Sequence, residues 1–196
     1  ASALLAAPVD GVTLEDKVVT AQALMRAGFA IGELNCVRKH LSQIKGGRLS
    51  AAAGSTVTLA ISDVHGPIAD DPSVIGSGPT VADPTTFAQA LAIVRSVEHL
   101  PSAVRTHLER GARGDVPETP KPDDAGLARG SYEIIGNRQT ALEGAAAAAR
   151  ELGYVVHVMP EAVAGDRSGR VVGLGPPKGV DQWQSREGSG RPVQLL

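Results

Sequence analysis

Apolar positions along the chain recur at spacings that predict alternating helices and strands. Leu14, Val18, Ala21, Met25 and Phe29 follow a helical period, and Thr13-Leu14-Glu15-Asp16 ahead of them resembles a capping box with Asp in place of Glu or Gln. A first helix is expected to end near residues 28–32. A second spans about residues 33–44, because Leu34, Val37, Leu41 and Ile44 share one face and Gly46-Gly47 supplies a stop. Its other face carries Asn35, Arg38, Lys39 and Ser42. Residues 56–61 are a β-branched apolar run that ends in Ser62-Asp63-Val64-His65-Gly66, the polar turn expected after a buried parallel strand.

Residues 66–83 read as a loop containing Asp70-Asp71-Pro72 and Gly76-Ser77-Gly78-Pro79-Thr80. Asp83 is placed to cap a helix that starts at Pro84 and continues through Phe87, Leu91 and Val94 to about residue 98. Another helix covers residues 100–110. Prolines, glycines and Lys121-Pro122-Asp123-Asp124 make residues 111–130 an exposed connection. A strand at 132–135, an Ala-rich helix opened by Gly136-Asn137 and a strand at 155–159 form a right-handed βαβ unit. The expected class is α/β, a mostly parallel sheet flanked by helices in a Rossmann-like three-layer arrangement. Beyond residue 165 the periodicity dissolves, so residues 1–165 are expected as one α/β domain and 166–196 as an irregular segment ending in a strand. The chain opens on Ala1-Ser2 without Met and stops on Val193-Gln194-Leu195-Leu196, which suggests a piece of a longer protein.

Composition narrows the function classes. Apolar residues at 42% and charged ones at 20% exclude disorder, collagen and coiled coil, and 3% aromatics leave a core of Ala, Val, Leu and Ile. A net charge of −2 with interspersed signs excludes a nucleic-acid stripe. One cysteine, Cys36, can form neither an internal disulfide nor a metal cluster and is expected to be a small buried residue. No apolar run reaches the roughly 18 residues of a membrane span, and the start lacks a signal-peptide plan, so a cytoplasmic protein is expected.

Four places could carry chemistry. Asn35, Arg38, Lys39 and Ser42 would project together from helix two, with Lys45 following, and bare backbone at Gly46-Gly47-Arg48 could approach an anion; a solvated polar face is the competing reading. Ser62-Asp63 at a strand end suits a metal ion or substrate hydroxyl, or simply a turn. The small-residue loop at Gly76, Ser77, Gly78 and Thr80 could wrap phosphate oxygens, although it is neither the Walker pattern nor the dinucleotide fingerprint. Asp70 and Asp71 could add magnesium ligands, or be solvated acids. Asn137 is either a ligand contact or a helix cap. His65 lies in the Asp63 loop, whereas His40, His99, His107 and His157 show no metal spacing.

The order Glu33-Leu34-Asn35-Cys36-Val37-Arg38-Lys39-His40-Leu41-Ser42-Gln43-Ile44-Lys45-Gly46-Gly47-Arg48-Leu49 resembles the signature of glycerate 2-kinases that carry a C-terminal MOFRL domain. Ile61-Ser62-Asp63-Val64, Asp70 to Thr80, Asp83-Pro84-Thr85-Thr86 and Ile135-Gly136-Asn137 extend it in the family's order. The resemblance covers residues 1–166 and implies transfer of a phosphoryl group from ATP, with Mg2+, to glycerate. It implies Arg38, Lys39 and Lys45 as anion holders, Asp63 as a magnesium or hydroxyl ligand with Asp71 as a second metal candidate, and the Gly76–Thr80 loop bordering nucleotide or substrate. Asn35, Ser42, Gly46, Gly47, Ser62 and Asn137 complete the expected binding set. A homodimer is compatible with the resemblance. The family's label of hydroxypyruvate reductase gives a rival function with NAD(P)H, and a non-catalytic, kinase-derived binding module is a second rival. Two departures stand out: a longer Asp63 loop, and residues 165–190 without the family's helix, for which a frameshift or a lineage-specific change would account. The family's flanking Ser-Gly-Gly and Gly-Lys-Ala segments and its MOFRL domain are not in this sequence, so this piece alone is expected to be inactive.

Overall fold

The computed structural model describes residues 5–66 and 68–158, and the backbone of 193–195. The elements are α1 (Leu14–Arg26), α2 (Ile31–His40), α3 (Arg48–Ala53), β1 (Thr56–Ile61), α4 (Phe87–Val94), α5 (Ser102–Ala112), β2 (Gly130–Gly136), α6 (Arg138–Glu151), β3 (Val156–Val158) and β4 (Val193–Leu195), with single 3-10 turns at Ile75–Ser77 and Ala125–Leu127. The chain is α/β, with parallel strands flanked by helices. It divides into a unit of residues 1–135 and one of residues 136–196.

In the first unit β1 pairs with β2, and the Thr56 N–H donates to the Arg129 carbonyl where both strands begin, so the two run the same way. The core lies among the helices. Leu24 of α1, Val37 of α2, Phe87, Ala90 and Val94 of α4, and Val104 and Leu108 of α5 are fully buried in one cluster. The expected capping box at α1 is present: Thr13 Oγ1 accepts from the Asp16 N–H at 3.0 Å, and Asp16 accepts from the Thr13 N–H at 2.8 Å. Its apolar stripe faces the core only in part, with Ala21 and Phe29 packed against it. Leu14, Val18 and Met25 are exposed, and Thr20 and Leu24 are the buried positions. Cys36 is buried, as expected.

Helix α2 ends earlier than its apolar period suggests. Leu41 departs from helical geometry, and the Gln43 N–H crosses to the Ala7 carbonyl while the Val9 N–H reaches Leu41. Gly46 and Gly47 therefore do not stop α2. Both have positive φ, and they open α3, a helix that the apolar period does not suggest. Helix α4 starts at Phe87 rather than Pro84, because Thr86 caps it through the Gln89 N–H while Asp83 is occupied elsewhere. Residues 117–121 are also more tightly held than an exposed connection. Glu118 accepts from the Phe87 and Thr119 N–H groups and faces His40 Nε2 at 2.9 Å, and Thr119 is buried.

In the second unit Asn137 caps α6 by accepting from the Thr140 N–H at 3.0 Å. Leu142 and Ala146 are the buried positions of α6, and β3 and β4 pair in parallel, Val156 against Val193. The expected irregular stretch at 166–192 and the strand end at Met159 lie outside the described residues.

Candidate functional site

Helix α2 and the turn at residues 75–77 meet because Asn35 and Ser77, both buried, bond to each other. The Ser77 hydroxyl donates to Asn35 Oδ1 at 3.1 Å, and the Arg38 guanidinium donates to the same oxygen at 3.4 Å. Gly76, Ser77 and Gly78 take left-handed φ of +63°, +65° and +56°. For Ser77 this is a costly conformation, which the bond to Asn35 and burial hold in place. Lys45 reaches the same turn, with Nζ donating to the Gly76 carbonyl at 3.2 Å.

Asn35, Arg38, Gly76 and Ser77 line a cavity of about 360 Å3, which Asp63 and His65 enter from the turn after β1. That size suits a small polar ligand. Arg38, Lys45, Asp63, Asn35, Gly76 and Ser77 are thus brought to one region of the first unit.

The remaining expected residues do other work. Lys39, adjacent to Arg38 on α2, does not line the cavity and is buried against Asp83 at 3.1 Å. Burial raises the Asp83 carboxyl, but bonds from Thr85 and the Lys39 charge outweigh it and leave it below the usual range. Ser42 lies beyond the end of α2, where its hydroxyl accepts from the Ile44 N–H and its carbonyl takes the Arg48 guanidinium at 2.6 Å. The four residues expected on one polar face are therefore split: Asn35 and Arg38 face the cavity, Lys39 faces Asp83, and Ser42 leaves the helix.

The glycine pair is not bare backbone awaiting an anion. The Gly46 and Gly47 N–H groups donate to the carbonyls of Ser77 and Gly78 at 3.1 and 2.7 Å, clamping this segment onto the loop. A Cβ on Gly47 would stand 2.9 Å from the Val81 carbonyl, which explains the glycine there. Gly78 is buried in the same junction. Thr80 receives a 2.8 Å bond from Thr58 of β1, and Ser62 accepts from the Val64 N–H to shape the turn after β1. Asp71 Oδ1 accepts from the Ser73 N–H, so it shapes its own loop. Asn137 belongs to the second unit. Among the described residues no group of three His, Cys, Asp or Glu side chains could hold a metal.

One cation escaped the sequence reading. Lys17 of α1 lies in a groove that it shares with Arg38 and Lys45, and its Nζ is buried with no hydrogen-bond partner. Burial and the Arg38 charge depress Lys17, while burial with Arg38 and Lys17 lowers Lys45 to about 8. The available signal was a single Lys at i+3 from Leu14 within an otherwise apolar stripe.

A family model described as a domain of unknown function, DUF4147, matches residues 1–109. The chain belongs to the DUF4147 family. This DUF4147 chain is 47% identical over 176 residues to an Agrobacterium vitis protein provisionally named hydroxypyruvate reductase, covering 87% of the chain and 38% of that relative. It is 40% identical over 169 residues to a Pyrococcus horikoshii protein named glycerate 2-kinase, covering 84% and 37%. A solved structure of glycerate kinase from Thermotoga maritima superposes with a TM-score of 0.62 at 34% identity, over 78% of the chain and 34% of that structure. The DUF4147 chain thus spans little more than a third of the relatives it matches.

Proposed function

We propose that the protein containing this chain transfers the γ-phosphoryl group of ATP to a hydroxyl of glycerate, and that this chain supplies the anion-holding part of the site. The observation that carries the reading is the cavity in which Asn35 joins Arg38 to the left-handed Ser77 turn, with Lys45 held on the same turn. Arg38 offers a planar fork suited to a carboxylate, and Lys45 a point charge suited to a migrating phosphoryl group. Asn35 and Ser77 orient the fork and present polar edges to glycerate. Two cations near one anion neutralise charge that spreads over phosphoryl oxygens during transfer.

Asp63 and Mg2+ belong to the same proposal. Magnesium usually keeps substrate phosphates and waters as ligands and needs only one or two carboxylates, so Asp63, exposed at the cavity, fits as a single protein ligand. Bound there, the cation would neutralise phosphate charge. Asp71 fits less well, because its carboxylate shapes its own turn. Gly46, Gly47 and Gly78 act as positioning residues that clamp the segment after α2 onto the 76–80 loop, Thr80 ties that loop to β1, and Lys39, Ser42 and Ser62 hold the neighbouring segments in place. No helix among the described residues is long and apolar enough to cross a membrane. A reaction that consumes ATP suits the cytoplasm, and a homodimer is the assembly to look for by sedimentation.

The reductase name of one relative favours a second reading, with hydroxypyruvate and a nicotinamide cofactor. Full-length protein assayed with glycerate plus ATP, beside hydroxypyruvate plus NADH, separates the two. Glycerate phosphorylation is expected, and Arg38→Ala should lower its kcat/KM by about 100-fold, roughly 2.7 kcal/mol. A loss of under about threefold removes Arg38 from the site.

A further inference from the structure

The cavity at the turn after β1 holds one polar side chain to which phosphoryl transfer has so far given no task, His65. Its Nδ1–H donates to the Asp63 carbonyl at 3.3 Å, which leaves Nε2 as the acceptor of the ring. Other acceptors of the lining are taken. Asn35 Oδ1 already accepts from Arg38 and Ser77, and the Gly76 carbonyl accepts from Lys45. The Ser77 hydroxyl is buried and gives its proton to Asn35. Among the described lining residues, Asp63 and His65, both exposed, are the side chains with an acceptor left to offer. Ile31, Val64, Val74 and Ile75 make much of the remaining wall aliphatic.

We propose that His65 is the specificity-determining residue of this cavity and binds the hydroxymethyl group of glycerate, an assignment that rests on the kinase reading and deepens it. Glycerate carries three polar groups around its central carbon. The carboxylate only accepts, whereas each of the two hydroxyls has a proton to place when it leaves water. Arg38 only donates, in a fork, and so takes the carboxylate. The attacking central hydroxyl has to face the nucleotide phosphates, on the side where Asp63 fits magnesium. The hydroxymethyl proton then needs an acceptor, and His65 Nε2 supplies it. A methyl group in the same place would pair with nothing, so the site selects a 2,3-dihydroxy acid over a 2-hydroxy acid. Because His65 is exposed, the contact is worth about one net hydrogen bond, a preference of about tenfold. Three different contacts around one carbon also separate its mirror-image forms, since inversion exchanges the hydroxyl and the hydroxymethyl group between Asp63 and His65.

The test is calorimetric titration of full-length protein with glycerate and with lactate, which has a methyl group in place of the hydroxymethyl. Wild type should bind glycerate about tenfold more tightly than lactate. His65→Leu should bring that ratio to within about twofold of one. His65→Gln, which places an amide oxygen near the position of Nε2, should restore part of it. Arg38→Ala should weaken both acids together, since both carry the carboxylate. Thermal unfolding of His65→Leu should match wild type, because the ring's bond reaches only a carbonyl two residues away. A wild-type protein that binds the two acids equally overturns the subsite, and so does a ratio that His65→Leu leaves unchanged. A ratio set by His65 in a protein that never phosphorylates glycerate with ATP would sink the kinase reading and leave the subsite standing. Glycerate phosphorylation with the same preference over lactate in wild type and His65→Leu does the reverse.

Discussion

Lys45 is where burial and like charge meet most directly. Lys17 of α1 and Arg38 of α2 face it, its Nζ donates to the Gly76 carbonyl, and its pKa falls from 10.5 to about 8. The depressed folded-state value fixes the sign of the pH dependence. Between about pH 8 and 10.5 the unfolded chain holds the proton that the folded chain has released, so stability rises with pH across that window. Below it the folded chain carries the cost of a half-buried cation near two others. Denaturant unfolding at a series of pH values should show this rise, and Lys45→Met should flatten it. A wild-type stability that is level or falls between pH 8 and 10 would remove the cation cluster from the account. Neither the size nor the direction of this effect can be read from sequence, because Lys17 and Lys45 lie on different elements. The Lys39–Asp83 pair is hidden for the same reason, with 44 residues between its partners. What sequence does carry at this scale is local: the Thr13–Asp16 box and the Asn137 cap each bond across three residues, within reach of a motif.

Among the elements, α2 shows how far periodicity reaches. Its existence and its buried Leu34 and Val37 follow from a 3.6-residue period, but the period continues through Ile44 and the helix does not. Bonds from residues 7–9 and from Arg48 take over the backbone after His40, and no local pattern encodes them. Helix α5 poses a packing question that can be settled by mutation. A Cβ on Gly111 would lie 2.2 Å from the ring of Phe87, which is fully buried and packs edge-on against His40 and His107. Gly144 in α6 has nothing within 4 Å of a Cβ. The same Gly→Ala change should therefore act with opposite signs. At Gly111 overpacking should cost about 1–3 kcal/mol or more, despite the gain in helix propensity. At Gly144 that propensity acts alone and should stabilise by about 0.5–1 kcal/mol. Urea unfolding of the two variants decides it, and a neutral or stabilising Gly111→Ala would mean that α5 and α4 are less tightly packed than described.

For the molecule as a whole, the α/β class and the order of elements apart from α3 are legible because they rest on alternation between two periods, but the way β1 is buried is not. The apolar run at 56–61 reads as a strand covered on both sides, whereas only Ala60 of β1 is buried. Val57, Leu59 and Ile61 are 79%, 60% and 77% exposed on one side, and Thr56 and Thr58 on the other are tied by hydroxyl bonds to Ser50 and Thr80. A run of β-branched residues fits a strand with one or two covered faces, and the number is set by what packs on it. A side this apolar favours association between chains, so its exposure can be tested in the 196-residue chain. Leu59→Thr should change the unfolding free energy by no more than about 0.5 kcal/mol, as for an exposed position, and should lower self-association in sedimentation. If the variant instead lost about 2 kcal/mol or more, the side chain would be covered by other residues of the chain, and β1 would be the doubly buried strand that its sequence resembles.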